Sequence, residues 1–165
     1  MIRRASLRAL FPILLLVGAD PSAVGAQETS SPLADFGELV VGTWEADGSR
    51  HVIEWGVGRL AVRTRSFFAD GESWTLVSEG MWWWDDAAET IRGLAVAVGM
   101  PVERFEYVTR VEGRRVIHEL TAYGEMSGEM FESWLVDADG YAWTLSERRD
   151  GTLQEIMGGA YRRIR

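Results

Sequence analysis

Turn-forming residues interrupt this sequence at regular intervals, roughly 9 to 15 residues apart from residue 40 onward. Four of the turns carry an Asp-Gly pair, which favours a tight hairpin because a type I′ turn needs two residues at positive φ. Such spacing is typical of an all-β sandwich or barrel. The four pairs are Asp47-Gly48, Asp70-Gly71, Asp139-Gly140 and Asp150-Gly151.

Ten β-strands are expected between these turns. Short hairpins make successive strands neighbours, and an even number lets the first and last strands pair antiparallel, so the sheet closes without exposed edges. No segment after the leader keeps a 3.6-residue period with caps, so we expect no helix longer than a turn or two there. The prediction is an all-β, up-and-down (meander) antiparallel barrel. Its strands are placed near 40–46, 50–56, 59–68, 73–84, 89–98, 102–111, 115–123, 129–137, 141–149 and 152–164.

Alternation of side chains predicts which residues share a face in some strands. Strand five is apolar on both faces, and in strand nine the large residues alternate with small ones, so neither can be oriented in this way. In the fourth strand one face carries Trp74, Leu76, Ser78, Gly80, Trp82 and Trp84; in the sixth, one face carries Phe105, Tyr107, Thr109 and Val111.

The N-terminal segment has the pattern of a secretory signal peptide. Basic residues precede an apolar run from Leu10 to Val17, and small residues precede Gln27. The run is too short to span a bilayer as a mature helix, and an uncleaved anchor is the alternative. We expect a periplasmic or secreted bacterial protein with no membrane contact after cleavage. The predicted organisation is a signal peptide at 1–26, a linker or short turn at 27–38 and a barrel domain at 39–165.

Charge and composition narrow the choice of partners. The formal net charge is −8, and removing the basic leader makes it more negative, which argues against nucleic acid as a partner. Without Cys, disulfides and thiolate metal sites are excluded, and without Lys so is Schiff-base chemistry. The sequence predicts no cofactor and no metal.

Two segments resemble the calycin superfamily of ligand-binding barrels, which includes lipocalins, fatty-acid-binding proteins and nitrobindin-like barrels. They are Gly42-Thr43-Trp44 and the Arg-rich end, residues 161–165. The resemblance implies a tryptophan beneath the barrel with Arg162 or Arg163 across its indole face. The tight hairpin at Asp47-Gly48 leaves no room for inserted helices. The nearest fit is therefore the lidless, ten-stranded secreted bacterial barrel of unknown function.

A barrel of this size is expected to enclose a cavity. Eight Trp, six Phe and four Tyr are available to line it, and the alternative is that these aromatic residues simply fill the interior. The predicted ligand-binding residues are Trp55, Trp82, Trp84, Phe105, Tyr107 and Trp134, with His118 and Glu132 as polar contacts.

Glu132 stands out among the carboxylates of the strands because Met130, Trp134 and Val136 share its face. A carboxyl group in that setting has a raised pKa unless an arginine meets it. It could orient a ligand or act as a general base. The commoner alternative is a cross-strand Glu–Arg pair or a solvated face.

The two histidines are interpreted differently. His118 could face inward beside Val116 and Leu120, and its alternative is an ordinary hydrogen-bonded strand histidine. His51 starts a strand after a hairpin, and we expect it to be solvated. Nitrobindin-like haem proteins hold iron through a histidine late in the chain, and no histidine follows residue 118 here. Haem ligation of that kind is not expected.

Trp83 should point outward if Trp82 and Trp84 point inward. With Val77 and Met81 it would form an exposed apolar patch, and such patches often mark a partner surface. A homodimer through this face is one hypothesis, and coverage by the N-terminal linker is the alternative.

The function predicted from the sequence is that of an exported barrel that binds a small, largely apolar molecule inside. No P-loop, G-x-S-x-G, H-E-x-x-H or dinucleotide motif is present, so catalysis is not favoured. One alternative is an isomerase or hydrolase that uses Glu132 or His118 as acid or base. The other is an interaction module with a filled core.

Overall fold

A computed structural model describes residues 31–164 of the chain. One helix precedes ten antiparallel strands, and a short 3-10 turn, Val57–Arg59, follows the second strand. The elements are α1 (Pro32–Val40), β1 (Gly42–Ala46), β2 (Ser49–Trp55), β3 (Ala61–Asp70), β4 (Ser73–Asp85), β5 (Thr90–Ala97), β6 (Val102–Glu112), β7 (Arg115–Gly124), β8 (Gly128–Val136), β9 (Gly140–Arg149) and β10 (Thr152–Ile164). The predicted signal peptide lies outside the described residues.

The ten strands form a closed barrel in which each strand pairs with the next along the chain. The barrel closes where β1 pairs antiparallel with β10, with Trp44 opposite Arg163. The closed pairing leaves no edge strand to template aggregation. The predicted all-β, ten-stranded meander barrel is thus confirmed.

The helix α1 corrects the prediction of a linker and short turn before the barrel. The Ser31 side chain accepts a hydrogen bond from the Ala34 amide at 3.2 Å and Pro32 occupies the first turn, which together start the helix. Its buried face carries Leu33, Phe36 and Val40. At nine residues, α1 is too short for its periodicity to have been distinguished from a turn. No helix in this part of the chain is long and apolar enough to cross a bilayer.

Trp44 closes the end of the barrel that α1 covers, which we call the lower end. Its indole nitrogen donates to the Val40 carbonyl at 2.8 Å, and its side chain has no exposed surface. The Arg163 guanidinium lies 4.0 Å from the indole centroid and donates to the carbonyls of Val41 and Leu39. The expected cation over the tryptophan is therefore present, and Arg163 rather than Arg162 supplies it.

A β-bulge changes the faces of β4 from those predicted. Ser66 of β3 pairs with Ser78, but Phe67 pairs with Leu76, so Val77 is the extra residue. An extra residue reverses the alternation beyond it. Trp74 and Leu76 therefore point outward, contrary to the prediction. The remaining members, from Ser78 to Trp84, keep the inner face.

The register also orients the two strands that periodicity left open. Gly93 and Ala95 of β5 pair with the inward Tyr107 and Phe105 of β6, so their face of β5 is the inner one. In β9, Tyr141, Trp143 and Leu145 pair with the inward Val136, Trp134 and Glu132 and share their face.

The four Asp-Gly turns differ in backbone conformation. In Asp150-Gly151 both residues have positive φ, as a type I′ turn requires, whereas at Asp47-Gly48 and Asp70-Gly71 only the glycine does. Gly140 begins β9, where the backbone of β10 approaches closely. A Cβ at this position would lie 2.5 Å from the Tyr161 carbonyl oxygen.

Candidate functional site

The interior of the barrel is packed unevenly from one end to the other. Near α1 it is a solid floor, in which Trp44, Phe36, Val62 and Val116 have no exposed surface. Toward the other end, several side chains that point inward are only partly buried, so open space adjoins them. We call this open upper half the cup. Partly buried inward residues of the cup are Thr64, Ser66, Ser78, Gly80, Phe105, Tyr107, Glu132, Trp143 and Leu145.

Two opposite walls of the cup carry side chains of very different size. The wall formed by β3, β4 and β5 carries small residues, and a Cβ on Gly80 would lie 2.7 Å from the Ala95 Cβ. The wall formed by β6 to β9 is apolar and bulky, with Leu120 and Met130 buried and Phe105 and Leu145 packed against them. The two walls of the cup therefore differ in the size of the side chains that face the interior.

A hydrogen-bonded network of His51, Tyr141, Tyr161 and Ser49 occupies the β9–β10–β2 side of the interior. His51 Nδ1 lies 2.7 Å from the Tyr141 hydroxyl, and Nε2 lies 3.2 Å from the Tyr161 hydroxyl. Ser49 donates to the Tyr161 oxygen at 2.8 Å. The imidazole also stacks on the Tyr161 ring, with centroids 4.3 Å apart. The expectation that His51 is solvated was therefore wrong.

Burial lowers the pKa of His51 to about 4, so the ring is neutral near pH 7. A neutral imidazole has one donor and one acceptor nitrogen. It therefore accepts from one tyrosine and donates to the other, whichever tautomer is present. The tyrosine that accepts, Tyr141 or Tyr161, keeps a hydroxyl hydrogen that His51 does not use, and this hydrogen can serve a further acceptor.

Glu132 projects from β8 into the interior, in register with His118 on β7 and Leu145 on β9. Burial raises its pKa to about 7, and a hydrogen bond from the Trp134 side chain offsets part of that rise. The side chain nevertheless keeps some accessible surface. Both properties fit a carboxyl group that lines the cup.

Three tyrosines surround this carboxyl group. Burial raises the pKa of Tyr107, Tyr141 and Tyr161, and the negative charge of Glu132 adds to each rise. Within residues 31–164, no arginine forms an ion pair with Glu132. The alternative of a cross-strand Glu–Arg pair or solvated face is therefore contradicted.

His118 belongs to the floor beneath the cup. It has no exposed surface, and its Nδ1 lies 2.7 Å from the Thr109 hydroxyl. Trp134 meets it edge-on with centroids 4.7 Å apart, and Trp82 stacks at 5.8 Å. Burial lowers its pKa to about 3. The arrangement is that of an ordinary hydrogen-bonded strand histidine, although its Nε2 has no hydrogen-bond partner among residues 31–164.

The remaining predicted residues divide between the cup and the lower end. Phe105 and Tyr107 stack on the cup wall with centroids 6.0 Å apart, and Trp82 and Trp134 form the top of the floor. Trp55 packs beneath the barrel: its ring lies over Gly37 of α1, where a Cβ would come within 2.1 Å. Trp84 also lies at the lower end, so neither Trp55 nor Trp84 reaches the cup.

A cleft of about 660 Å³ lies at the lower end, between α1 and the β4–β5 and β6–β7 hairpins. Trp84, Asp35, Glu38 and Arg110 are among its lining residues. The guanidinium of Arg110 is engaged by Glu112 and Glu119. The packed floor separates this cleft from Glu132, and we place the candidate site in the cup because the enclosed polar groups converge there.

His51, Tyr141 and Tyr161 were not predicted as site residues. Tyr141 and Tyr161 are direct cross-strand neighbours, although counting from the Asp150-Gly151 turn would place Ala160 opposite Tyr141. The bulge between Glu155 and Met157 makes that count fail by one residue, so the signal in the sequence is indirect.

In the part of the chain that the structure describes, no group of three or more His, Asp or Glu side chains is arranged to hold a metal ion. Comparison with protein-family models, with curated proteins and with solved structures finds no match for this chain. The candidate site therefore rests on the geometry of the barrel interior.

Proposed function

We propose that this chain is an exported barrel that binds one small, largely apolar molecule in its cup. The observation that carries the proposal is the uneven interior. Below, the core is packed without exposed surface around Trp44 and Phe36, whereas above, inward-facing Phe105, Leu145 and Glu132 remain partly exposed. Sites of this kind are concave, mostly apolar and carry a few convergent polar groups.

The apolar wall supplies the affinity in this proposal. Burying about 200 Å² of apolar ligand surface is worth about 5 kcal/mol at roughly 25 cal/mol per Å², and the cost of association subtracts from it. Because the His51–Tyr141–Tyr161 network is held by mutual hydrogen bonds, its donors are oriented before a ligand arrives. Preorganisation of this type lowers the cost of binding.

Export and a calycin-like relationship belong to the same proposal. The pattern of residues 1–26 supports export. The closed ten-stranded meander and the Arg163–Trp44 contact support the relationship.

Filling the cup tests the proposal directly. The Ser78 side chain points inward, opposite Ala97 and Ser66, so Ser78→Phe should occupy the space. We expect a neutral hydrophobic probe, N-phenyl-1-naphthylamine, to bind the wild type and to lose at least about tenfold in affinity for Ser78→Phe. The matched control is Val96→Phe, on the outer face of neighbouring β5 and half exposed. Equal binding by all three proteins would refute an interior site.

A proton-transfer enzyme is the second candidate, and one observation favours it. The pKa of Glu132 lies at about 7, close to where a general base works best, and tyrosine hydroxyls that can stabilise an oxyanion surround it. The chemistry would be proton abstraction next to a carbonyl. Deuterium exchange into a cyclic ketone would reveal it, and exchange that persists in Glu132→Gln would exclude this role.

A further inference from the structure

The charged groups that face the interior are distributed unequally between the rim, the wall and the floor of the barrel. Glu147 and Arg149 lie on the inward face of β9 at the rim and form an ion pair with each other. Arg163 lies in the floor, stacked on Trp44 and hydrogen-bonded to two carbonyls of the backbone. Glu132 alone carries a charge that faces the deep part of the cup among the described residues.

Neither histidine supplies a positive charge that could balance the negative charge of this carboxylate. Burial holds the pKa of His51 at about 4 and that of His118 at about 3, so both rings are neutral near pH 7. Within residues 31–164, the deep part of the cup therefore offers one group that is negative above about pH 7 and no positive group. A ligand with a carboxylate would place a like charge beside Glu132, which costs free energy in an enclosed site.

Glu132 also has spare capacity to accept hydrogen bonds. An ionised carboxylate has about four lone-pair sites. Its side-chain donor is the indole of Trp134, and one tyrosine of the His51 network has a hydroxyl hydrogen that His51 does not use. Acceptor sites on Glu132 thus remain for a donor that enters from the cup. An ammonium group supplies both the hydrogen bonds and the opposite charge.

We infer that the cup selects a ligand whose inner end is a hydrogen-bond donor, best a protonated amine that pairs with Glu132, and whose apolar body lies against Phe105, Leu120 and Leu145. This inference rests on the proposed function and narrows its ligand class. The inferred ligand class differs from that of proteins that carry fatty-acid carboxylates. The ligand class is that of lipophilic primary amines.

Three probes with the same chain and different head groups test this. Dodecylamine, dodecanol and dodecanoate are titrated below their micelle concentrations against full-length protein saturated with N-phenyl-1-naphthylamine, near pH 8. We expect dodecylamine to displace the dye at least about tenfold more effectively than dodecanoate, with dodecanol between them. Equal or tighter binding of dodecanoate would overturn the inference.

Failure of the inference differs from failure of the proposed function. If dodecanol binds and dodecylamine has no advantage over it, the head-group inference is wrong while an apolar interior site stands. If none of the three displaces the dye and the dye itself does not bind, both are wrong.

Removing the carboxylate tests whether Glu132 causes the preference for the amine. In Glu132→Gln, dodecylamine should lose about tenfold in affinity while dodecanol changes by less than about twofold. Unchanged dodecanol binding also shows that the variant is folded. The control is Glu106→Gln, which removes the same charge from an exposed position outside the barrel. An amine preference that survives in Glu132→Gln, or falls equally in Glu106→Gln, would contradict the assignment.

Discussion

Glu132 links the candidate site to the stability of the fold. Its pKa is raised from an ordinary 4.5 to about 7 in the folded protein, so folding favours the protonated form. The corresponding stabilisation is complete below pH 4.5 and is lost as the pH rises through about 7. Above that pH the buried, ionised carboxylate destabilises the folded barrel.

Removing the Glu132 carboxyl group should relieve this destabilisation. Glu132→Gln should be more stable than the wild type near pH 8 by about 1–3 kcal/mol, and the two should converge near pH 4.5. Urea unfolding followed by tryptophan fluorescence at both pH values measures the difference. Glu106→Gln is the control and should show no such dependence. A constant offset between wild type and Glu132→Gln at all pH values would contradict the pKa shift.

Arg163 and Arg162 are adjacent in sequence and differ in environment. Arg163 stacks on Trp44 and donates to two backbone carbonyls, whereas Arg162 is exposed on the outer face opposite Glu45. We predict that Arg163→Ala lowers the free energy of unfolding by about 2–3 kcal/mol. Arg162→Ala should change it by less than about 0.5 kcal/mol. Thermal unfolding by circular dichroism compares them, and similar losses would argue against a specific role of the Trp44 contact.

At the scale of elements, α1 acts as the cover of the lower end. It is held through Phe36, which meets Trp82 edge-on at 5.4 Å, and through Gly37, whose missing side chain admits the Trp55 ring. An outer ion pair between Glu38 and Arg59 is exposed and adds little. Packing rather than charge therefore fixes the helix to the barrel.

Gly37→Ala tests that packing. A Cβ there would lie 2.1 Å from the Trp55 ring atoms, so either the indole or the helix must shift. We expect a loss of about 1–3 kcal/mol despite the better helix propensity of alanine. Glu38→Ala, next to it on the exposed face, is the control and should be nearly neutral. A stabilised Gly37→Ala would show that the helix is not seated as described.

The elements show where sequence reasoning succeeds and where it stops. Turn residues such as Asp150-Gly151 define the strands because they report local backbone conformation. The faces of Trp74 and Leu76 depend on a bulge, which arises from pairing between strands and leaves no local signal. His51 was misjudged for a similar reason, because its partners Tyr141 and Tyr161 lie about a hundred residues away. By contrast, the apolar neighbours of Glu132 on its own strand were sufficient to single it out.

At the scale of the whole molecule, the outer surface of β4 and β5 is unusually apolar. Met81, Leu94 and Val96 are all substantially exposed there, and Trp83 is partly exposed beside Arg92. The homodimer through the Trp83 face stays a prediction. Light scattering should give twice the monomer mass for the wild type, and Met81→Glu should lower it toward the monomer. Glu106→Gln is the control, and a monomeric wild type would count against the dimer.

Closure of the barrel joins its first strand to its last strand. Arg163 donates to the Val41 carbonyl across 122 positions of sequence, and Ile164 completes the ladder with Thr43. The sheet therefore keeps two open edges until β10 has been synthesised, and pairing between remote segments is slow. Loss of β10 would leave the edges of β1 and β9 unpaired and exposed.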